Sequence, residues 1–535
     1  MANTLLDLFE KNPQLLEWRD KVTLLSRQLV MGFSGSSKAV VMASALSEQV
    51  PKILIVTSTQ NEAEQLTGDL SAILGEDKVY SFFADDVVAA EFIFASPEKT
   101  HSRLESLNFL IDKEASGVLV TSLVGTKLHL PNPKVYKDSR INLALGEEHD
   151  LEALSKHLTH IGYQRVEQVL SPGEFSRRGD ILDIYELTAE LPYRLEFFGD
   201  EIDGIRQFDS DSQKSLDNLE HVIVSPADDI ILTREDYQRA EKALESAVSK
   251  AEGPHKAYLE EVLSVTIDGY RHKDLRKFLS LFYDKAYTLF DYLPKGTPVF
   301  IDDFQKIVDR HGRLELEVAN LLTEDLHQGK SLSHLNYLVD SFKTLRNYQP
   351  ASFFSNFHKG LGNLKFDKLY QFTQYPMQEF FNQFPLLVDE IHRYTKNKAT
   401  VILQVGSEKQ LKSLKETLEE YDLDLPLSSF GDLIPHKPQL VLGNLSNGFY
   451  FADEKLVLVT EREIFHKKVK RRARASHVSN AERLKDYNEL EKGDYVVHQT
   501  HGIGQFKGIE TIEIKGVHRD YLTIQYQDAA TISLP

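Results

Sequence analysis

The stretch that decides the fold of the first domain is Met31-Gly32-Phe33-Ser34-Gly35-Ser36-Ser37-Lys38-Ala39. It follows the P-loop pattern G-x-x-x-x-G-K-[ST], in which backbone N–H groups cradle phosphates and the last hydroxyl ligates Mg²⁺. Gly32 and Lys38 occupy their expected positions, whereas Ser37 replaces the second glycine and Ala39 replaces the hydroxyl residue. Because Ala39 has no oxygen for a metal, the pattern predicts a degenerate nucleotide site in a domain that binds partners rather than catalysing a reaction.

The composition is that of a globular protein without cysteine. Of the 535 residues, 41% are hydrophobic and 27% are charged, a length that suits roughly three to five domains. Disulfides, thiolate metal sites and thiol redox chemistry are excluded. No apolar run reaches the length of a membrane span, and the amino-terminal residues lack the basic segment of a secretory signal. We therefore expect a cytoplasmic protein that does not bind membranes.

The charge balance argues against tight DNA binding by this chain. Its formal net charge is −19, and nonspecific affinity for DNA comes from basic residues that neutralise phosphates. Residues 467–474 form a local basic run. We interpret this run as a solvated linker rather than a nucleic-acid clamp.

Hydrophobic patterning predicts a multidomain α/β fold. Apolar runs at residues 52–57 and 117–121, separated by amphipathic helices, are typical of buried parallel strands. Alternating apolar and charged residues between 160 and 210 predict antiparallel strands in an α+β insertion, and glycine-punctuated runs after Gly493 predict a small β-barrel or curled sheet. The predicted segments are 1–125 (P-loop α/β domain, first part), 126–215 (insertion), 216–350 (P-loop domain, second part), 351–461 (second small α/β domain), 462–489 (basic linker) and 490–535 (carboxy-terminal domain).

An acidic pair follows another predicted strand, Val299-Phe300-Ile301-Asp302-Asp303. In a Walker-B motif one carboxylate holds Mg²⁺ and the next acid positions the attacking water. Here the second acid is the shorter Asp303, and such pairs also simply end strands and cap helices. Together with the loop at 32–39, the pair outlines both halves of one nucleotide site with altered chemistry.

Several motifs resemble the nucleotide-excision-repair helicase subunit UvrB. They are Leu289-Phe290-Asp291-Tyr292-Leu293-Pro294, followed by Phe300-Ile301-Asp302-Asp303, and residues 178–184 and 197–206. The bacterial transcription-repair coupling factors, the Mfd family, are more similar. Their amino-terminal third is a UvrB-like module that has lost ATP binding, and Gly35-Ser36-Ser37-Lys38-Ala39 is similar to their decayed loop.

The carboxy-terminal segment favours the coupling factors over UvrB. Residues 493–498 and 501–506, with Asp520-Tyr521-Leu522, resemble the Tudor-like RNA-polymerase-interacting domain that these factors share with CarD-type regulators and that UvrB lacks. The family's ATP-dependent DNA translocase would follow residue 535, so we expect this chain to be an amino-terminal part. ATP, Mg²⁺ and most contacts with double-stranded DNA are then expected only in that absent motor.

The resemblance also assigns residues to partners. It implies that the strand Glu510-Thr511-Ile512-Glu513 lies at a sheet edge and pairs with the β subunit of RNA polymerase; the alternative is that Ile512 fills the barrel core. It implies that Arg165, Arg178 and Arg194 of the insertion contact UvrA. Arg178 lies at a turn, where we expect a free guanidinium, and the alternative for each arginine is a salt bridge within the chain.

The resulting hypothesis is a monomeric adaptor in transcription-coupled DNA repair, which binds stalled RNA polymerase and recruits UvrA. It predicts no catalytic residue, metal site or resident cofactor in this chain. One alternative is an active UvrB-type ATP-dependent DNA helicase subunit, against which Ser37 and Ala39 argue. The other is a CarD-like transcription regulator without a role in repair.

Overall fold

Five β-sheets organise the described part of the chain in this computed structural model. The structure describes residues 5–7, 12–93, 97–355, 363–466, 495–498, 502–514, 517–525 and 531–534. They fall into two units, Met1–Val478 and Ser479–Pro535. The basic run at 467–474 and most of the predicted linker lie outside the described residues.

The α-helices of the described residues all belong to the first unit. They are α1 (Pro13–Lys21), α2 (Ser36–Ser44), α3 (Gln60–Leu74), α4 (Val88–Ile93), α5 (Pro97–Ile111), α6 (Pro133–Asp138), α7 (Leu151–His160), α8 (Arg234–Val248), α9 (Gly253–Ile267), α10 (Leu275–Phe282), α11 (Leu289–Tyr292), α12 (Phe304–His327), α13 (Phe342–Asn347), α14 (Phe384–Lys396), α15 (Glu408–Glu419) and α16 (Glu461–Phe465).

The strands are distributed over both units. They are β1 (Arg27–Met31), β2 (Lys52–Thr57), β3 (Val79–Phe82), β4 (Gly117–Ser122), β5 (Ile141–Ala144), β6 (Gln164–Arg165), β7 (Glu174–Arg178), β8 (Ile181–Ile184), β9 (Tyr193–Phe198), β10 (Glu201–Phe208), β11 (Ser215–Asn218), β12 (His221–Val224), β13 (Val299–Asp302), β14 (Ala351–Ser355), β15 (Lys368–Gln371), β16 (Gln374–Pro376), β17 (Thr400–Val405), β18 (Leu427–Ser428), β19 (Pro438–Leu442), β20 (Phe449–Phe451), β21 (Leu456–Val459), β22 (Tyr495–His498), β23 (Gly502–Ile514), β24 (Val517–Gln525) and β25 (Thr531–Leu534).

The first sheet contains seven parallel strands in the order β15-β1-β14-β13-β2-β4-β3. Every residue of β2 and β4 is buried, which explains their uninterrupted apolar runs and confirms the predicted parallel sheet. The strand β13 also occurs where the sequence predicts it.

Successive residues of the first sheet alternate between two hydrophobic cores, because side chains of a strand point to opposite faces. In β2, Leu54 and Val56 pack in one core with helices α5, α8, α9, α10 and α12. Ile53 and Ile55 pack in the other core, with α1, α2, α3 and one face of a second sheet.

The second sheet has the order β16-β20-β21-β17-β19-β18 and lies on that shared core. Its other face packs on α14, α15 and α16. The predicted boundary at residue 350 is too early. Strands β14 and β15 continue the first sheet, and the second sheet begins at Gln374.

The insertion is an antiparallel sheet, apart from one parallel pair at its edge, in the order β11-β10-β9-β8-β7-β6. Its entry strand β5 pairs antiparallel with its exit strand β12, so the predicted bounds 126–215 are shifted. Leu128, Leu130 and Tyr136 pack instead in the core of the first domain. The insertion therefore begins near Ile141 and continues past residue 215.

Buried charges fix the chain where it returns from the insertion. Asp229 accepts from Arg103 at 2.9 Å and from Arg276 at 2.6 Å, and Arg103 also pairs with Glu91. Burial alone would raise the pKa of Asp229, but the two guanidinium groups hold it well below its usual range. These pairs join the insertion's exit to α5 and α10.

In the second unit, β22 to β25 form a four-stranded antiparallel sheet in sequential order. The predicted short strands are present, but the described ones form an open sheet, so the Tudor-like barrel is not confirmed. Within the residues that are described, no helix has both the length and the apolarity needed to cross a bilayer.

Candidate functional site

The P-loop connects the end of β1 to the start of α2, as the sequence pattern predicts. Gly32 has φ +96°, and a Cβ there would lie 1.9 Å from the Phe372 carbonyl oxygen. Only glycine fits this close approach. Ala39 and the rest of α2 are almost wholly buried in the core shared by the two sheets.

Lys38 is paired with the first acid of the Walker-B-like segment. Its Nζ lies 2.6 Å and 2.8 Å from the two carboxylate oxygens of Asp302. The side chains are only 19% and 12% exposed, so solvent screens the pair weakly. The structure thus brings the loop lysine against the first acid of the pair, two residues that the sequence analysis placed in the two halves of one nucleotide site.

Asp303 has a different role from its neighbour. It adopts a left-handed conformation with φ 55° and caps α12 by accepting from the Lys306 N–H at 3.4 Å. Lys306 donates to Glu62 at 2.8 Å, and this hydrogen bond raises the pKa of the lysine. The capping alternative therefore describes Asp303.

Gln374, the first residue of the second sheet, contacts the loop through its side-chain amide. Its Oε1 accepts from the Ser34 N–H at 3.0 Å and lies within hydrogen-bond distance of the Ser37 hydroxyl. Its Nε2 donates to Ser34 Oγ at 3.1 Å. The serine in place of the second P-loop glycine therefore binds another part of the chain.

A second polar contact joins the loop to the second α/β domain. Ser36 donates to Asp69 at 2.9 Å and accepts from the Asn447 N–H at 2.9 Å. Asp69 also accepts from the backbone N–H and the hydroxyl of Ser446, at 2.9 Å and 2.7 Å. The loop is thus bonded to two segments of that domain, around residues 374 and 447.

The sequence did not predict these hydrogen-bond partners of the loop. Gln374 is 337 residues from Ser37, and Asn447 is 411 residues from Ser36. No local spacing connects such positions. The residue pattern of 355–460 also indicated no functional role, although most of these residues form the domain that contacts the loop.

The three arginines of the insertion differ in their surroundings. Arg165 is exposed on β6. Arg178 is 50% exposed but donates to Asp183 at 2.8 Å, so the expectation of a free guanidinium is wrong. Arg194 is 14% exposed and binds both oxygens of Asp183, and these hydrogen bonds raise the pKa of Arg194.

The predicted polymerase strand lies in β23. Strand β22 pairs with β23 only between Gly502 and Gln505. Beyond Phe506, β23 pairs with β24 on one side, and no described strand pairs with its other side up to Ile514. Residues 510–513 thus lie in a segment with one open edge among the described strands.

No group of three or more His, Asp or Glu side chains is arranged to hold a metal ion in the part of the chain that the structure describes. The loop and the Asp302–Asp303 pair retain a P-loop outline without the hydroxyl that ligates Mg²⁺.

Three family models match separate segments of the chain. Residues 141–229 match the UvrB interaction domain, residues 394–464 match the MFD D3 domain, and residues 490–535 match the CarD-like/TRCF RID domain. The first match coincides with the insertion, and the second lies within the second α/β domain.

Curated relatives cover nearly the whole chain. The transcription-repair-coupling factor of Bacillus subtilis is 33% identical over 523 residues, which are 96% of this chain and 44% of that protein. The transcription-repair-coupling factor of Staphylococcus aureus is 29% identical over 517 residues, which are 95% of this chain and 44% of that protein. The predicted resemblance to these factors is confirmed, and the chain spans less than half of their length.

Removing the Lys38 ammonium tests the pair at the loop. We expect Lys38→Ala to lower the free energy of unfolding of the first domain by on the order of 2–4 kcal/mol, because Asp302 is left nearly buried without its counter-ion. Urea unfolding followed by the fluorescence of Trp18, the single tryptophan and fully buried in this domain, measures the effect.

The control is Lys306→Ala, whose pair with Glu62 is more exposed. It should cost less than about 1 kcal/mol. Equal effects of the two substitutions would contradict the special role of the Lys38–Asp302 pair.

Proposed function

We propose that this chain, a relative of the transcription-repair-coupling factors, is an adaptor that binds stalled RNA polymerase through its second unit and recruits UvrA through its insertion. The single observation that carries the proposal is the joint match of a UvrB interaction domain and a CarD-like/TRCF RID domain in one chain. We further propose that it acts as a monomer in the cytoplasm and contacts the polymerase β subunit.

The insertion offers a surface suited to a partner with carboxylates. The turns that follow Arg178 and Phe198 lie at the same end of its sheet, where the Phe197 N–H donates to the Asp180 carbonyl at 2.8 Å. Phe198 is 83% exposed, whereas Phe197 is buried. An exposed aromatic ring and a half-exposed guanidinium at the same end of one sheet match the residue types that protein-binding hot spots favour.

We expect Arg178→Ala to weaken UvrA binding by about tenfold, because a charge-assisted hydrogen bond to a partner carboxylate is lost. Binding is measured by titrating labelled UvrA with the purified chain. Arg393→Ala, an exposed arginine in the second α/β domain, is the matched control and should leave affinity unchanged. Wild-type affinity of the Arg178 variant would argue against this surface.

Arg194 is not proposed to contact UvrA directly. Arg194 is nearly buried, and its Nε and Nη2 both donate to Asp183. Its replacement would therefore destabilise the insertion and reduce UvrA binding indirectly. Arg165 and Arg178 are the proposed direct contacts.

The open edge of β23 supports polymerase binding by strand addition. Main-chain groups that no described strand engages can pair with an extended strand of a partner. Residues 509–514 are rich in β-branched side chains, which favour an extended strand. We propose that Ile512 sets the register of this pairing.

We expect Ile512→Arg to abolish capture of the polymerase β subunit while the protein stays folded, since a charge would replace an apolar contact. Pull-down with immobilised chain measures capture, and circular dichroism checks the fold. Ile512→Val, which keeps an apolar β-branched side chain, should retain binding. Full capture by the Ile512→Arg protein would exclude this residue from the interface.

We also propose that this chain does not hydrolyse ATP, whereas the longer family proteins do so with a motor outside it. Purified protein should show no phosphate release above background, because Ala39 cannot ligate Mg²⁺. Turnover that disappears in Lys38→Ala would instead support an active helicase subunit. Polymerase binding without UvrA binding would support a transcription regulator.

A further inference from the structure

The side-chain amide of Gln374 contacts the loop both as a hydrogen-bond acceptor and as a donor. Its Oε1 takes the Ser34 N–H at 3.0 Å and lies within hydrogen-bond distance of the Ser37 hydroxyl. Its Nε2 donates to Ser34 Oγ at 3.1 Å and to the Ser34 carbonyl at 3.4 Å. The side chain thus engages the loop backbone as a neighbouring peptide unit would.

A phosphate group would compete for the same kind of donors. P-loops bind phosphate oxygens with backbone N–H groups, a lysine ammonium and a hydroxyl. In this chain the Ser34 N–H and Ser37 hydroxyl meet Gln374, and the Lys38 ammonium meets both oxygens of Asp302. Ser34 itself remains exposed, so these groups are occupied by the protein although the loop is open to solvent.

We infer that the Gln374 side chain takes the place of a phosphate group at the loop. Through this residue, the second α/β domain prevents nucleotides from binding there. The position of the residue supports this role. The chain leaves the first sheet at Gln371 and enters the second at Gln374, so the contact lies where the two sheets are joined. A nucleotide would have to break these hydrogen bonds and leave the amide to be resolvated. The inference does not depend on the proposed adaptor function.

The experiment distinguishes the effect of the substituted loop residues on nucleotide affinity from the effect of Gln374. A loop-repaired protein carries Ser37→Gly and Ala39→Ser, and a second protein adds Gln374→Ala. Isothermal titration with Mg²⁺–ADP should give an affinity about tenfold higher for the second protein, the equivalent of about one to two hydrogen bonds. Gln371→Ala in the repaired background is the matched control, because Gln371 is exposed on β15, and should leave the affinity unchanged.

Hydrogen exchange in the otherwise unchanged chain gives an independent measurement if the repaired protein folds poorly. Gln374→Ala should accelerate exchange of the Ser34 amide, because it removes the acceptor at 3.0 Å and leaves only the Ser37 Oγ at 3.2 Å, and Gln371→Ala should not. Equal ADP affinity with and without Gln374, including no binding in either protein, would overturn the inference. Unchanged exchange at Ser34 would also overturn it.

Discussion

The hydrophobic core shared by the first and second sheets is the constraint on which the first unit depends. Side chains such as Ile55 from the first sheet and Ile402 from the second pack in one buried cluster, with α2 between them. Eight of the nine residues of α2 are buried, so this helix is enclosed by its neighbours on nearly all sides. The geometry of the P-loop, which begins this helix, is therefore set by both domains together.

Sequence patterns predicted the elements that local chemistry determines. Strands such as β2 and β4 are buried on both faces, so their uninterrupted apolar runs predicted them. Strand β1 begins with Arg27 and Gln28 and gave no such run, although it leads directly into the loop.

Sequence patterns did not predict which residues of the second α/β domain contact the candidate site. The sequence indicated that Lys38 and Asp302 belong to one site, because a P-loop and a Walker-B strand form the two halves of a nucleotide site. Nothing in the spacing of residues indicated that Gln374 or Asn447 contacts the loop, because that pairing depends on how two sheets pack. The same limit applies to Asp183, which holds both Arg178 and Arg194.

The pairing of β5 with β12 brings the two ends of the insertion together where it joins the first domain. Ile141 is the register partner of Val224 and Ala144 that of His221, so the chain departs and returns at adjacent points. An antiparallel pair of this kind can be closed by a turn of about two residues. The module between these strands is therefore separable in principle: it could be gained, lost or exchanged during evolution while the surrounding parallel sheet kept its topology.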